Sequence, residues 1–307
     1  MSENKKVLFI INRFSGGVYR SSIEGRMIDF CANHNLECTI AFTEAPGHAT
    51  LLAKEAADSN AFHTVFAVGG DGTVNEVAQG LVGTSTIMGI IPKGSGNGLA
   101  RHLAIPMDFK RSLALVSSTN VISMDTFLVN GILSINVSGV GFDGHVASLF
   151  GKNGKRGLVG YSKLVLKEYF DFKEFPVEVE IDGKKMTKNS FIVALANSSQ
   201  FGNNAKVAPQ ASVCDQWLDV CFVKKVPLHR AIGFGLNMFS GQLHKSDLVE
   251  ILKAQHVQLK FNRPMSFHID GEPHPAAQQL EIKIQPASLQ MVVPEPSWNP
   301  LMKKSTL

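Results

Sequence analysis

Residues 69–73 read Gly-Gly-Asp-Gly-Thr, an aspartate set among glycines where an apolar run ends. Glycine weakens a strand and costs about 1 kcal/mol in a helix relative to alanine, so the cluster needs a reason. Bare backbone lets N–H groups face a ligand, and a helix starting there adds partial positive charge. That chemistry suits an anion, phosphate above all. The carboxylate in the middle of such a cradle is a second sign of chemistry there. Two further loops have the same character, "NRFSGG" at 12–17 and "PKGSGNG" at 92–98. A fourth, "FTEAPGHA" at 42–49, offers Thr43. Thr73 and Glu76 also fit a T-x-x-E capping box, which needs no ligand.

These loops need a frame, and the first 120 or so residues supply one. "KVLFIIN" (6–12) is an unbroken apolar run, as in a strand buried on both faces. Ile23, Met27, Phe30 and Cys31 then repeat at helical spacing. Strands follow at 38–43, 64–70 and 86–92, with helices at 48–57 and 73–81. This alternation predicts parallel strands joined by crossover helices, a doubly wound α/β domain. Ligands bind beyond the carboxyl ends of strands in such sheets, where all four loops fall.

After about residue 121 the rhythm changes. Asn130-Gly131 and Asp182-Gly183 lie between apolar or alternating runs, a hairpin signal. Period-two runs continue to residue 293, interrupted by helices near 158–170 and 228–240, so this half is expected to be an antiparallel β-sandwich. The expected division is an α/β domain over 1–122 and a sandwich over 123–293, with 294–307 returning to the first. The helix bearing Ile232, Phe234, Leu236, Met238 and Phe239 reads better as core than as a lipid-pocket wall.

Composition bounds the rest. The 307 residues are 44% hydrophobic and 18% charged, enough for a sizeable core. A net charge of +4 is too mild for a nucleic-acid partner and compatible with an anionic ligand or a membrane surface. Cys31, Cys38, Cys214 and Cys221 form no C-x-x-C pair, so they read as buried reduced thiols rather than a zinc site. No apolar run approaches 18 residues, and the first is too short for a signal peptide. There is no Walker G-x-x-x-x-G-K-[ST]. The one G-x-G-x-x-G, at 139–144, lies in the β-rich half without the acid that a dinucleotide site needs.

"GGDGTVNEV", "PKGSGNGLAR", "GVGFDG" and "HIDGE" together, in this order and spacing, resemble the diacylglycerol kinase / sphingosine kinase catalytic family of soluble lipid kinases. The resemblance runs from Asn12 to Glu272. It implies a three-layer α/β nucleotide-binding domain followed by a β-sandwich, the NAD kinase/diacylglycerol kinase-like architecture. It also implies transfer of the γ-phosphate of ATP, with Mg²⁺, to a lipid hydroxyl. By match to the family's motifs, Asn12, Ser15, Gly16, Thr43, Gly70, Gly72, Thr73, Gly94, Ser95, Gly96 and Asn97 fall at the nucleotide, and Glu76 is carried with them. Asp71 matches the acid at the reaction centre and is the favoured proton acceptor. Asp143 matches an acid near the acceptor hydroxyl, and Glu272 one that faces the γ-phosphate. Asp215, a carbonyl near Trp217, and Asp219 resemble a structural Mg²⁺ site of bacterial members.

Two departures stand out. Gly98 replaces an aspartate common in bacterial members, which brings the loop closer to the GSGNALA of sphingosine kinases. Gln216 replaces a glycine in the metal motif. His268 and His274 read as ordinary strand or turn residues, and Lys152, Lys155 and Arg156 as either phosphate contacts or a solvated loop. The expected partner is a lipid at a membrane surface, with no nucleic acid and no transmembrane segment. The expected location is cytoplasmic or peripheral to a membrane, and a homodimer is left open. Two other readings are kept, an NAD-kinase-like phosphotransferase with a soluble acceptor and a non-catalytic nucleotide- or lipid-binding relative.

Overall fold

A computed structural model describes residues 5–16, 22–94, 96–150 and 158–295. The chain divides into two compact units, one reaching Asp125 and resuming at Pro286, the other Thr126–Gln285. The final strand, Glu272–Val292, runs across this division, and the part assigned to the first unit begins at Pro286. Val293 and Pro294 are tied back by Asn120, whose side chain donates to the Pro294 carbonyl at 2.7 Å. Most of the segment 294–307 lies outside the described residues.

The first unit alternates β1 (Lys6–Ile11), α1 (Ser22–Asn33), β2 (Glu37–Phe42), α2 (His48–Asp58), β3 (Thr64–Gly69), α3 (Asp71–Leu81) and β4 (Ile87–Pro92). Short helices α4 (Gly98–His102) and α5 (Phe109–Leu113) follow. The strands pair in parallel in the order β2-β1-β3-β4, and Met291 of the returning strand lies beside Met88. Five of six residues in β1 and all six in β3 are buried, so their apolar runs meet protein on both faces. Phe9, Phe66, Ile11, Val68 and Ile91 form the core with Met27 and Cys31 of α1. The carboxyl ends of β1, β3 and β4 therefore open on one edge, where the glycine loops begin.

The second unit takes in the end of β5 (Val121–Val129), then β6 (Ile132–Ser134), β7 (Val137–Gly141), α6 (Phe142–Phe150), α7 (Leu158–Asp171), β8 (Phe175–Ile181), β9 (Lys184–Ser190), β10 (Ile192–Ala196), β11 (Leu218–Val223), α8 (Ala231–Ser240), β12 (Val249–Ala254), β13 (His256–Ile269) and most of β14 (Glu272–Val292). The antiparallel pairing sought in the sequence is present, and Asn130-Gly131 and Asp182-Gly183 make two-residue turns with positive φ. β13 shifts register between Lys260 and Phe267, so its first half pairs with β8 and its last residues with β7. That bend lets one strand pair with β14, β8 and β7 around a core of Phe127, Val177, Val220, Leu259 and Leu280. No described helix is long and apolar enough to cross a membrane.

Two expectations about burial change. Cys31 and Cys221 are buried and free, with burial pushing the Cys31 thiol up to about 12, but Cys38 is half-buried and Cys214 exposed. Helix α8 is not core: none of its residues is buried, and only Phe234 and Met238 pack inward.

Candidate active site

In the first unit, three loops converge on Asp71. Its Oδ2 accepts the Asn97 N–H and its Oδ1 the Gly98 N–H, both at 2.8 Å. The carboxylate thus caps α4 and ties the 69–73 loop to the 92–98 loop. Gly96 leaves room for this, because a Cβ there would lie 2.7 Å from Asp71 Oδ2. Burial raises the Asp71 carboxyl, while the two backbone N–H groups hold it down. Asn97 completes the loop in a left-handed conformation (φ 51°), its amide donating to the Gly94 carbonyl at 2.6 Å. Arg101 Nε donates to the Gly96 carbonyl at 2.9 Å.

The first loop joins the same group. Ser15 Oγ donates to the Lys93 carbonyl at 3.1 Å, and a Cβ on Gly70 would lie 3.1 Å from that Oγ. Gly16 has φ +70° and passes so close to the Lys93 carbonyl that no side chain fits. Asn12 Nδ2 donates to Thr73 Oγ1 at 3.1 Å, and Asn12 Oδ1 accepts the Phe14 N–H at 2.9 Å. Gly70 is the extended N-cap of α3, Gly72 lies in its first turn, and Thr73 is buried. Thr43 is buried after β2, its N–H on the Ile11 carbonyl. Ser95 lies outside the described residues, as do Lys152, Lys155 and Arg156.

Thr73 and Glu76 do not form a capping box, because α3 starts at Asp71 and both fall inside it. Glu76 caps a different helix: its Oε2 accepts the Ala49 N–H in the first turn of α2 at 3.1 Å. Lys93 was passed over in the sequence. Burial lowers its ammonium pKa, and it sits within the second glycine loop, a cation among N–H donors.

In the second unit, the G-x-G-x-x-G stretch spans the end of β7 and the start of α6. Asp143 Oδ1 accepts the Gly144 N–H at 2.8 Å, and Oδ2 lies 3.3 Å from His268 Nε2. His268 Nδ1 accepts the Gly271 N–H at 3.2 Å, so the neutral ring carries its proton on Nε2 and donates to Asp143. A Cβ on Gly139 would lie 1.9 Å from Asp143 Oδ2, so the motif's first glycine makes room for this pair, not for a dinucleotide. His268 is therefore no ordinary strand residue: it is 4% exposed and orients Asp143.

Asp270, also passed over, accepts Ser134 Oγ at 2.7 Å, the Ile135 N–H at 2.9 Å and the Asn136 N–H at 3.1 Å. It fixes the Asp270-Gly271 turn from which Glu272 emerges, exposed, as the first residue of β14. His274 stacks on Phe267 with ring centres 5.4 Å apart, and burial lowers its pKa.

The expected structural cation site is built differently. Lys253 lies directly across from Asp219 in the β11–β12 pairing. Its Nζ is 2.6 Å from Asp215 Oδ2 and 3.8 Å from Asp219 Oδ2. Asp215 Oδ1 accepts the Trp217 N–H at 3.1 Å. Burial pushes the Asp219 carboxyl up to about 6, with Lys253 pulling it down. Gln216, where the resemblance implies glycine, has φ +65°, the left-handed conformation that glycine takes without strain. Among the described residues no three His, Cys, Asp or Glu side chains gather as a metal cage. Asp219 Oδ2 is buried without a hydrogen-bond partner, and Lys253 supplies the positive charge nearest to it, so a divalent ion is not expected there. The wild-type melting temperature is expected to ignore millimolar Mg²⁺ and EDTA. Lys253→Met should cost about 1–2 kcal/mol, discounted because Lys253 is half-exposed, and should make melting Mg²⁺-responsive. Scanning calorimetry checks both, and a Mg²⁺-dependent rise in the wild type would contradict the assignment.

Residues 6–129 match the diacylglycerol kinase catalytic domain, and residues 136–293 the YegS C-terminal NAD kinase beta sandwich-like domain. A diacylglycerol kinase of Bacillus subtilis (strain 168) is 29% identical over 275 residues, covering 87% of this chain and 90% of that protein. A "probable lipid kinase YegS-like" protein of Pectobacterium atrosepticum is 28% identical over 306 residues, covering 96% and 98%. The crystal structure of a diacylglycerol kinase from Bacillus anthracis str. Sterne superposes with TM-score 0.74 at 19% identity, covering 96% of this chain and 99% of that one. At that identity the likeness speaks to the fold alone. With one matched domain spanning more than half of its length and the other most of the remainder, the chain belongs to the YegS/diacylglycerol kinase family.

Proposed function

We propose that the protein transfers the γ-phosphate of ATP to the hydroxyl of a lipid such as diacylglycerol or a sphingoid base. The observation that carries the reading is the convergence of three glycine loops on Asp71 at one edge of a parallel sheet. Backbone N–H groups at the glycines of these loops, Gly16, Gly70, Gly72, Gly94 and Gly96, would cradle the phosphates. Burial makes Asp71 a better proton acceptor than an exposed carboxylate. The lipid oxygen forms a bond to the γ-phosphorus as the bond to the β–γ bridging oxygen breaks. The hydroxyl proton passes to Asp71, and ADP leaves with the electron pair.

In the second unit, His268 holds the Asp143 carboxylate in place. His268 is a positioning residue. A divalent cation would offset charge on the phosphates. It takes water and phosphate oxygens readily, so a single carboxylate such as Asp71 would suffice to hold it. The lipid acceptor is supported by the relatives named as lipid and diacylglycerol kinases.

The reading is tested by incubating the protein with γ-labelled ATP, Mg²⁺ and a lipid extract in mixed micelles, with NAD in a parallel tube. Label is expected to move into the organic phase. Label in NAD alone would overturn the lipid assignment in favour of a soluble acceptor.

A further inference from the structure

Helix α8 and the 3-10 turn before it, Leu228–Arg230, expose Leu228, Ile232, Leu236 and Phe239 at 63%, 81%, 67% and 56%. Their spacing of four, four and three residues places them on one stripe. The opposite side holds Phe234 and Met238, which anchor the helix to a core of Val137, Ala194, Val207 and Leu243. Large apolar side chains lined up in water along a whole helix face mark a docking surface.

The charge around the stripe says what it meets. Residues 224–247 contain Lys224, Lys225, Arg230 and Lys245 against one acid, Asp247, which is paired with Arg230. Lys224, Lys245, His229 and His244 are exposed. The other flank adds to the apolar surface. Lys225 Nζ donates to the Phe170 and Phe172 carbonyls at 3.2 and 2.6 Å, which holds the end of α7 beside this segment. That end exposes Leu166 at 62% and Phe170 at 56%. A second copy docking face to face would oppose the same lysines to each other. An anionic bilayer complements both the apolar stripe and its basic rim.

We propose that α8 lies in the surface of an anionic lipid bilayer, with Ile232, Leu236 and Phe239 inserted and Lys224 and Lys245 at the headgroups. This docking is separate from phosphate transfer and is read by binding alone.

The test is cosedimentation of the full chain with vesicles of phosphatidylcholine, with and without about one quarter phosphatidylglycerol. The wild type is expected to sediment with the anionic vesicles, roughly tenfold better than with neutral ones, and to be released by salt. The triple variant Ile232→Ser, Leu236→Ser, Phe239→Ser should bind roughly tenfold more weakly with an unchanged melting temperature, since these side chains are exposed. Lys224→Gln with Lys245→Gln should lose the preference for anionic vesicles. The proposal is overturned if the wild type stays in the supernatant, or if the triple variant binds like the wild type. It is equally overturned if light scattering finds a dimer that the triple variant dissolves while vesicle binding is absent.

Discussion

Asp71→Asn is expected to lower kcat at least about 100-fold and weaken ATP binding roughly tenfold, in a protein that still folds. Two losses combine. The amide is a poor proton acceptor, so the hydroxyl loses its base. It also presents one NH₂ group to a pair of backbone N–H donors that the carboxylate now satisfies at 2.8 Å each. Asn97 or Gly98 then has no acceptor, and the loop that depends on it relaxes. Initial rates at varied ATP, with nucleotide binding measured by calorimetry, separate the two effects. Turnover within about threefold of wild type would remove Asp71 from the reaction centre, because general-base loss alone exceeds that.

Asp270→Ala is expected to destabilise the second unit strongly. The carboxylate receives one hydroxyl and two backbone N–H groups from residues 134–136. Bonds to a charged acceptor contribute about 1.5–3 kcal/mol each, and orphaned N–H groups add a desolvation cost. Allowing for partial relaxation and water entry, the loss should be about 3 kcal/mol, or roughly 6–12 °C in the melting transition of this unit. Asp270→Asn keeps one good acceptor and should lose about half as much. Scanning calorimetry reads both variants, and a drop below about 2 °C for the alanine variant would mean that solvent replaces the carboxylate. Activity should fall with stability, because the same turn presents Glu272 and shares Gly271 with His268.

The parallel half was legible because strands buried on both faces leave unbroken apolar runs, as β1 and β3 do. The hairpins were legible because Asn-Gly and Asp-Gly in positive-φ pairs have few other uses. The convergence of the loops followed from strand ends sharing one edge. What the sequence hid is long-range pairing. Nothing local to His268 says that Asp143 lies against it, 125 residues earlier in the chain. Nothing local to "CDQWLDV" says that a lysine one strand over supplies the positive charge. Glu76 fitted a cap for its own helix and serves α2 instead, since α3 begins two residues before Thr73. Helix α8 reads the same whether its apolar face meets protein or membrane, and only the packing of Phe234 and Met238 against the exposure of Ile232 separates the two.

The central claim is ATP-dependent phosphorylation of a lipid hydroxyl. Its most direct test is transfer of label from γ-labelled ATP into single defined lipids, dioleoylglycerol and sphingosine in separate mixed micelles, by wild type and by Asp71→Asn. The account predicts label in one of these lipids with the wild type and at least about 100-fold less with the variant, the span of a lost acid–base contact. Equal labelling by both proteins would contradict the role of Asp71. No lipid labelling by a wild type that binds ATP would contradict the account itself.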